Sequence, residues 1–398
     1  MTETIICIEY EYFNGRGNWD RELLKRLAIS GYNVHAICCP FPDTLKDEEN
    51  TLREAGVNIH YIRKNKIWFP IGSAIQVFSI LRNNKGSIYT PSIRLIPIYS
   101  PICKIFEAPI IFSLQGAPLK ELSIMPEFEK IRSNKLLYFI KRNVVMIEEK
   151  ISANCADEII VISKEIEDEL NTIGVPENKV NLIYYAIDTD RFRFNKTARM
   201  NIRNKYEIKD SDIVIAYVAR LLKKVPTKLW SAKTLLRVVK DINRQNIIVL
   251  FVGGGDGTDE LKSLVDEYGL KEQVVFAGFQ PHESIPNFLS ASDYFWFVMK
   301  DPLPTYGLAL QEAMSCGCVV ITNNSGSMKE IIKDGLDGYL VEPNDESINE
   351  RVSQIIRQDN IKQISKLAVQ KVKSKYSWEV IMPKIQRVIA NVTDQEYK

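Results

Sequence analysis

The sequence predicts an α/β protein in which two doubly wound, Rossmann-like domains face each other across a cleft. Short apolar segments alternate with amphipathic segments, and this alternation restarts in the second half of the chain. The 398 residues also exceed what one ordinary core holds. Strands that alternate with helices form parallel sheets covered on both faces, and such sheets bind ligands at the carboxyl ends of their strands.

The first half of the chain contains the first alternating set. Its expected strands cover residues 4–8, 34–38, 110–114 and 158–162. A helix is expected at 18–30, after a loop that contains Gly15 and Gly17, because Leu23 and Leu27 recur at helical spacing.

The second half repeats the pattern. Its expected strands cover residues 213–219, 247–252, 274–277, 294–298 and 319–322. Its expected helices cover residues 227–240, 259–268 and 307–315. A polar, basic linker at 192–199 suggests an N-terminal domain at 1–194 and a C-terminal domain at 195–375. A final helix at 376–398 is expected to pack back toward the first domain.

Bulk properties predict a cytoplasmic protein. The net charge is +2, no run of 18 uncharged apolar residues occurs, and the first residues do not resemble a signal peptide. The seven cysteines show no CxxC spacing, so we expect reduced core residues.

A candidate anion site combines a glycine-rich turn with two cations. Residues 253–257 follow a strand and precede a helix, where glycines let backbone N–H groups approach a phosphate. Arg220 and Lys224 follow another strand, and such cations suit a diphosphate. Either feature alone is also typical of an ordinary tight turn or of a solvated loop.

The segment 304–317 adds a helix N-terminus and a carboxylate. Gly307 opens the expected helix, so Gly307, Leu308 and Ala309 present N–H groups that lack partners within the helix. Glu312 lies in its second turn, where a carboxylate can accept hydrogen bonds from a ribose diol. The alternative is a solvated helix glutamate.

Together these segments resemble glycosyltransferase family 4, a group of retaining enzymes of the GT-B fold. The matching positions keep the family's order and spacing over about 125 residues: 218–221, 251–255, 275–278, 307–308, 310, 312–314, 316–317, 319–320, 330–332, 334–335 and 338–341. Weaker marks occur at 156–163 and 187–192, and the first 150 residues agree only in layout.

The resemblance implies a donor site. Arg220 and Lys224 would hold the diphosphate and Glu312 the ribose, although Lys224 lies one residue nearer Arg220 than is usual. The other donor-binding positions it implies are Gly15, Gly17, Gly254, Phe279, Thr305, Tyr306, Gly307, Leu308 and Ala309.

Two positions depart from the family pattern. Pro304 stands where the family has a glutamate, eight residues before Glu312. Gln115 stands where many members have a histidine, and an amide cannot titrate near neutral pH. Asp301 is the carboxylate nearest the missing glutamate, so Gln115 and Asp301 are the expected catalytic residues.

The sequence predicts no metal site and no required cofactor. The triplet Asp188, Thr189 and Asp190 spells a DxD motif, but it precedes the expected linker, where the family has a structural loop. The three histidines are too scattered for a typical zinc site.

A basic stretch suggests a membrane surface as a partner. Residues 55–106 contain seven Lys or Arg and no Asp or Glu. Its first cluster combines cations with interfacial aromatics: Arg63, Lys64, Lys66, Trp68 and Phe69. A second mixed patch spans 130–142. A solvated basic face over core aromatics is the alternative; no nucleic-acid module occurs.

The leading hypothesis is a metal-independent, retaining transfer of a hexosyl unit from a nucleotide-sugar to a saccharide or lipid-linked acceptor. Such an enzyme would serve cell-surface polysaccharide or glycolipid assembly, and could sit at the inner face of the cell membrane. Two alternatives remain open: a GT-B-fold epimerase, and a degenerate subunit that binds nucleotide-sugars without catalysis.

Overall fold

The computed structural model describes residues 3–10, 17–42, 46–63, 65, 68–124, 128–300, 307–358 and 360–393. The chain divides into two compact units. Unit 1 comprises Met1–Tyr185 with Met382–Lys398, and unit 2 comprises Ala186–Ile381. The chain therefore enters unit 2 after Tyr185 and returns to unit 1 within its last helix.

Unit 1 is built on a seven-stranded parallel sheet. Its strands are β1 (Thr4–Glu9), β2 (Asn33–Cys38), β3 (Asn58–Tyr61), β4 (Gly86–Thr90), β5 (Ile110–Leu114), β6 (Glu158–Val161) and β7 (Val180–Leu182). They lie in the order β3-β2-β1-β4-β5-β6-β7. Its helices are α1 (Gly17–Ile29), α2 (Lys46–Glu54), α3 (Trp68–Leu81), α4 (Ile96–Phe106), α5 (Pro118–Ile124), α6 (Glu129–Ser133), α7 (Lys135–Cys155) and α8 (Lys164–Thr172).

Unit 2 repeats the architecture with six parallel strands. They are β8 (Ile213–Val218), β9 (Ile247–Val252), β10 (Val274–Gly278), β11 (Tyr294–Phe297), β12 (Val319–Asn323) and β13 (Tyr339–Val341), in the order β10-β9-β8-β11-β12-β13. Its helices are α9 (Lys196–Lys205), α10 (Pro226–Ile242), α11 (Thr258–Tyr268), α12 (Ile285–Ala291), α13 (Leu308–Ser315), α14 (Met328–Ile331), α15 (Asp345–Ile356), α16 (Ile361–Lys375) and the start of α17 (Trp378–Thr393).

Continuous apolar strands form the middle of each unit, as expected for sheets covered on both faces. All residues of β5 and of β9 are buried, and both strands have the bounds that the sequence predicts. The predicted α/β class, with two doubly wound sheets, is confirmed. Among the described residues, no helix combines the length and hydropathy that crossing a membrane requires.

A buried ion cluster fixes the strand that leads to the candidate site. The Asp293 carboxylate accepts hydrogen bonds from Arg199 and Arg203 at 2.8 Å and from the Val214 N–H at 2.8 Å. Arg203, on α9, is 2% exposed and also donates to the Ala291 carbonyl. Because Asp293 directly precedes β11 and Val214 lies in β8, the cluster joins the two central strands of unit 2.

Candidate functional site

The strand order of unit 2 reverses between β8 and β11. The chain runs from β8 outward to β10 and then returns to β11 on the other side of β8. In open parallel sheets this reversal leaves a crevice at the carboxyl ends of the two strands, where ligands bind. Arg220 follows β8, and Gly307 with α13 comes after β11 in the chain, so these predicted donor residues belong to the two connections that flank this crevice.

The glycine-rich turn packs against the loop that carries Arg220. A Cβ on Gly253 would lie 2.0 Å from the Ala219 carbonyl oxygen, and one on Gly255 would lie 2.4 Å from that of Leu221. Both glycines also have positive φ, 125° and 157°. These two glycines are therefore required by loop packing.

Gly254 lies between them and has more space. Its Cβ position has the Phe279 nitrogen as nearest neighbour, at 3.9 Å. Its carbonyl accepts a hydrogen bond from the Leu221 N–H at 3.0 Å, so it too helps to fix the Arg220 loop. Phe279 itself is 82% exposed and directly follows β10.

Two cations lie near each other after β8. The Arg220 side chain is exposed. Burial lowers the pKa of Lys228, in the first turn of α10, and repulsion by Arg220 lowers it further. A lysine at a helix N-terminus also opposes the helix dipole. An anion between the Arg220 and Lys228 side chains, such as a diphosphate, would offset their repulsion and the unfavourable interaction of Lys228 with the helix dipole.

Lys224 and Lys228 differ in their environments. Lys224 is exposed in the turn before α10, whereas Lys228 is partly buried and coupled to Arg220. The sequence analysis missed Lys228. The signal that identifies it is a lysine in the first helical turn, where acidic residues are favoured.

Glu312, on α13, and His282, which follows β10, lie next to each other. The Glu312 side chain is 17% exposed, and its Oε1 lies 3.4 Å from His282 Nε2. The other ring nitrogen of His282 lies 2.8 Å from an Arg191 guanidinium nitrogen. His282 is thus held between Arg191 and the carboxylate, which fixes the orientation of Glu312.

The N-terminus of α13 presents backbone donors. Gly307 precedes the helix, and a Cβ there would crowd Leu310 at 3.3 Å and Phe297 at 3.4 Å. The N–H groups of Leu308 and Ala309 lie in the first turn, where a helix supplies no acceptor for them. Asp301, Pro304, Thr305 and Tyr306 lie outside the described residues.

In unit 1, Gln115 has its amide engaged. Its side chain is 6% exposed. It donates to the Asp20 carboxylate at 2.9 Å and accepts from the Tyr185 hydroxyl at 3.1 Å. These contacts join α1 to the loop after β5, which favours a positioning role for Gln115. Gly17 begins α1, and Gly15 lies outside the described residues.

The DxD triplet forms a turn. The Asp188 carboxylate accepts hydrogen bonds from the N–H groups of Asp190 and Arg191, at 3.2 and 3.0 Å. The absence of a metal role for this triplet stays a prediction. Over the described part of the chain, no group of His, Cys, Asp and Glu has the arrangement of a metal site.

The proposed membrane cluster needs one correction. Phe69 is completely buried, because helical spacing turns it toward the core of unit 1, so its assignment as an inserting residue was wrong. Trp68 is 58% exposed, and Arg63 is exposed. Lys64 and Lys66 lie outside the described residues.

Comparisons with known proteins agree with this geometry. The model of the group 1 glycosyl transferases matches residues 198–371, and that of glycosyltransferase family 4 matches residues 14–191. An uncharacterized glycosyltransferase of Methanocaldococcus jannaschii is 28% identical over 67% of this chain and 69% of its own.

Further similarities concern a named enzyme and a solved structure. A GDP-mannose-dependent α-(1-6)-phosphatidylinositol monomannoside mannosyltransferase of Mycolicibacterium smegmatis is 27% identical over 48% of this chain, and the match spans 50% of that enzyme. The crystal structure of Anabaena HepE in complex with UDP superimposes with a TM-score of 0.77 at 15% identity, over 98% of this chain and 100% of that one.

Proposed function

We propose that this chain, which belongs to the family 4 glycosyltransferases of the GT-B fold, moves a hexosyl unit from a nucleotide-sugar to a saccharide or lipid-linked acceptor. The observation that carries the proposal is the Arg220–Lys228 pair beside the strand-order reversal of unit 2. Two cations that repel each other there favour binding of an anion, and a nucleoside diphosphate is such an anion.

Glu312 completes the nucleotide site in this proposal. Its carboxylate accepts hydrogen bonds from the ribose hydroxyls, while His282 keeps it in place. The names of similar proteins support a nucleotide donor, since one is GDP-mannose-dependent and one was crystallised with UDP. The acceptor named for the mannosyltransferase, a phosphatidylinositol monomannoside, supports the lipid-linked class.

The reaction requires stabilisation of a leaving group above all. The bond between the anomeric carbon and the diphosphate oxygen breaks, and the diphosphate leaves with the electron pair. Arg220, Lys228 and the N–H groups of Leu308 and Ala309 stabilise its charge, the electrostatic contribution that usually dominates. The acceptor oxygen bonds to the anomeric carbon, and its proton passes to a leaving phosphate oxygen. In this proposal the configuration is retained and no metal is needed.

A second candidate is a subunit that binds nucleotide-sugars without transferring them. The environment of Gln115 favours it, because that side chain has no titratable proton and is already hydrogen-bonded to Asp20 and Tyr185. The transfer mechanism above requires no proton transfer by Gln115. Both candidates use the same nucleotide site.

Calorimetric titration with UDP and GDP tests that site. Arg220→Ala, Lys228→Met and Glu312→Gln should each weaken binding of the preferred nucleotide by roughly 10- to 150-fold, the loss of one charged hydrogen bond. Lys262→Ala is the matched control, since Lys262 is an exposed cation of α11 in the same unit. Unchanged affinity in both Arg220→Ala and Glu312→Gln would refute the assignment.

A further inference from the structure

The solvent-exposed face of α7 is apolar. The exposed stripe consists of Leu136, Phe139, Ile140, Val144, Ile147 and Ile151. These positions follow helical spacing, so they share one face of α7. The buried face of the same helix includes Glu149 and Ser152. A helix of a water-soluble protein has the opposite arrangement, with its apolar face toward the core.

Two neighbouring helices extend this surface. α3 exposes Trp68, Ile71, Ile75 and Phe78, again at helical spacing, and α4 exposes Ile98 and Ile105. α3 packs against α4, where the Phe78 and Phe106 rings lie 5.1 Å apart. α4 packs against α7, and Ser152 donates to the Ile93 carbonyl at 2.6 Å.

The three exposed stripes, here called the α3–α4–α7 face, therefore lie on adjacent helices of one unit. Monomeric proteins rarely expose contiguous apolar surface on this scale without a partner.

Cations are interspersed with these apolar side chains. Lys104 precedes Ile105 on α4, and Lys135 and Arg142 flank the first stripe residues of α7. All three side chains are exposed. The sequence of α3 and α4 contains no acid, and Glu148 of α7 is paired with Arg94 at 3.5 Å. A surface that combines exposed apolar side chains with cations is complementary to an anionic bilayer. Lys and Arg contact the headgroups, and aliphatic side chains enter the boundary with the acyl chains.

We propose that the α3–α4–α7 face of unit 1 docks on an anionic lipid bilayer, with α7 lying in the interface plane. The proposal centres the membrane contact on α7, which begins within the second patch at 130–142, rather than on residues 63–69, and it does not depend on the transfer reaction. A second copy of this chain is the rival occupant. Its own face would bring the same cations together, which disfavours it.

Vesicle flotation without any nucleotide-sugar tests the proposal. The probes are phosphatidylcholine vesicles with and without phosphatidylglycerol. The protein should float with the anionic vesicles at 0.1 M salt, and binding should weaken toward 1 M, where the Debye length falls from about 10 Å to about 3 Å. Leu136→Ser/Phe139→Ser/Ile140→Ser should reduce the bound fraction at least tenfold, and Lys135→Glu/Arg142→Glu should abolish the preference for anionic vesicles.

The control removes exposed apolar side chains elsewhere. Ile29→Ser/Met200→Ser should bind vesicles like the unaltered protein, because Ile29 lies on α1 and Met200 on α9. Nucleotide affinity, measured in parallel, should stay unchanged in every variant and so separates this proposal from the donor site. Failure of the unaltered protein to bind anionic vesicles, vesicle binding that survives the triple serine variant, or a dimer that this variant dissociates would each overturn lipid docking.

Discussion

Glu149→Gln should stabilise the protein, and increasingly so as the pH rises. Glu149 lies on the buried face of α7, and burial together with the neighbouring Glu169 raises the pKa of its carboxyl to about 9. The pair can form a hydrogen bond only when one member is protonated. The folded state therefore holds a proton that the unfolded chain releases above the ordinary pKa of 4.5.

The sign and size of the effect follow from this difference. Folding raises the pKa of the Glu149 carboxyl. Its contribution to stability is therefore fully present below pH 4.5 and is lost as the pH rises toward 9. At about 1.4 kcal/mol per pH unit, the cost reaches about 3 kcal/mol at pH 7 and stays below about 1 kcal/mol at pH 5. The glutamine side chain of the variant is neutral at every pH, so the variant avoids this cost.

Differential scanning calorimetry at pH 5 and pH 7 measures the difference. About 3 kcal/mol corresponds to an increase of about 6–12 °C in the unfolding midpoint of a unit of this size. Glu54→Gln is the matched control, because its side chain is exposed on α2 and is not among the charges that raise the pKa of Glu149. A midpoint difference between Glu149→Gln and the unaltered protein that is the same at both pH values would refute the reasoning.

Two further predictions concern unit 2 and the reaction. Asp293→Ala removes the carboxylate partner of the buried Arg203. The free energy of unfolding, measured by urea titration, should fall by about 3–5 kcal/mol. Asp259→Ala, at an exposed position of α11, should change it little. Nucleotide binding and turnover should persist in EDTA, because the proposed donor site uses cationic side chains and backbone N–H groups; complete loss that magnesium or manganese restores would contradict this.

Most strands of both sheets were predictable because they are short, apolar and bounded by turns, but β3, β4, β7 and β13 were not predicted. β5 and β9 are examples, since both faces of each are buried. Helices α3 and α7 were not predicted. The exposed faces of these two helices are at least as apolar as their buried faces. Hydrophobic periodicity identifies a helix only when one face is apolar and the other is polar. Phe69 was misassigned for the same reason, since its burial depends on the phase of α3.

The candidate site was predictable where a local motif carries it. Gly307 directly precedes the short helix that carries Glu312, so their spacing determines their arrangement. Lys228 was missed because its closeness to Arg220 depends on how the intervening loop folds. The engagement of Gln115 depends on Asp20, 95 residues away, and on Tyr185. Contacts over such separations leave no trace in a sequence pattern.

The most direct test of glycosyl transfer is product analysis by mass spectrometry after incubation with UDP-glucose or GDP-mannose, with and without saccharide and lipid-linked acceptors. The proposed function predicts that nucleoside diphosphate appears in equal amount with a glycosylated acceptor, and only when an acceptor is present. Isomerisation of the donor without acceptor would instead identify an epimerase. Nucleotide binding with neither product, across the whole donor and acceptor panel, would contradict catalysis and leave a binding subunit.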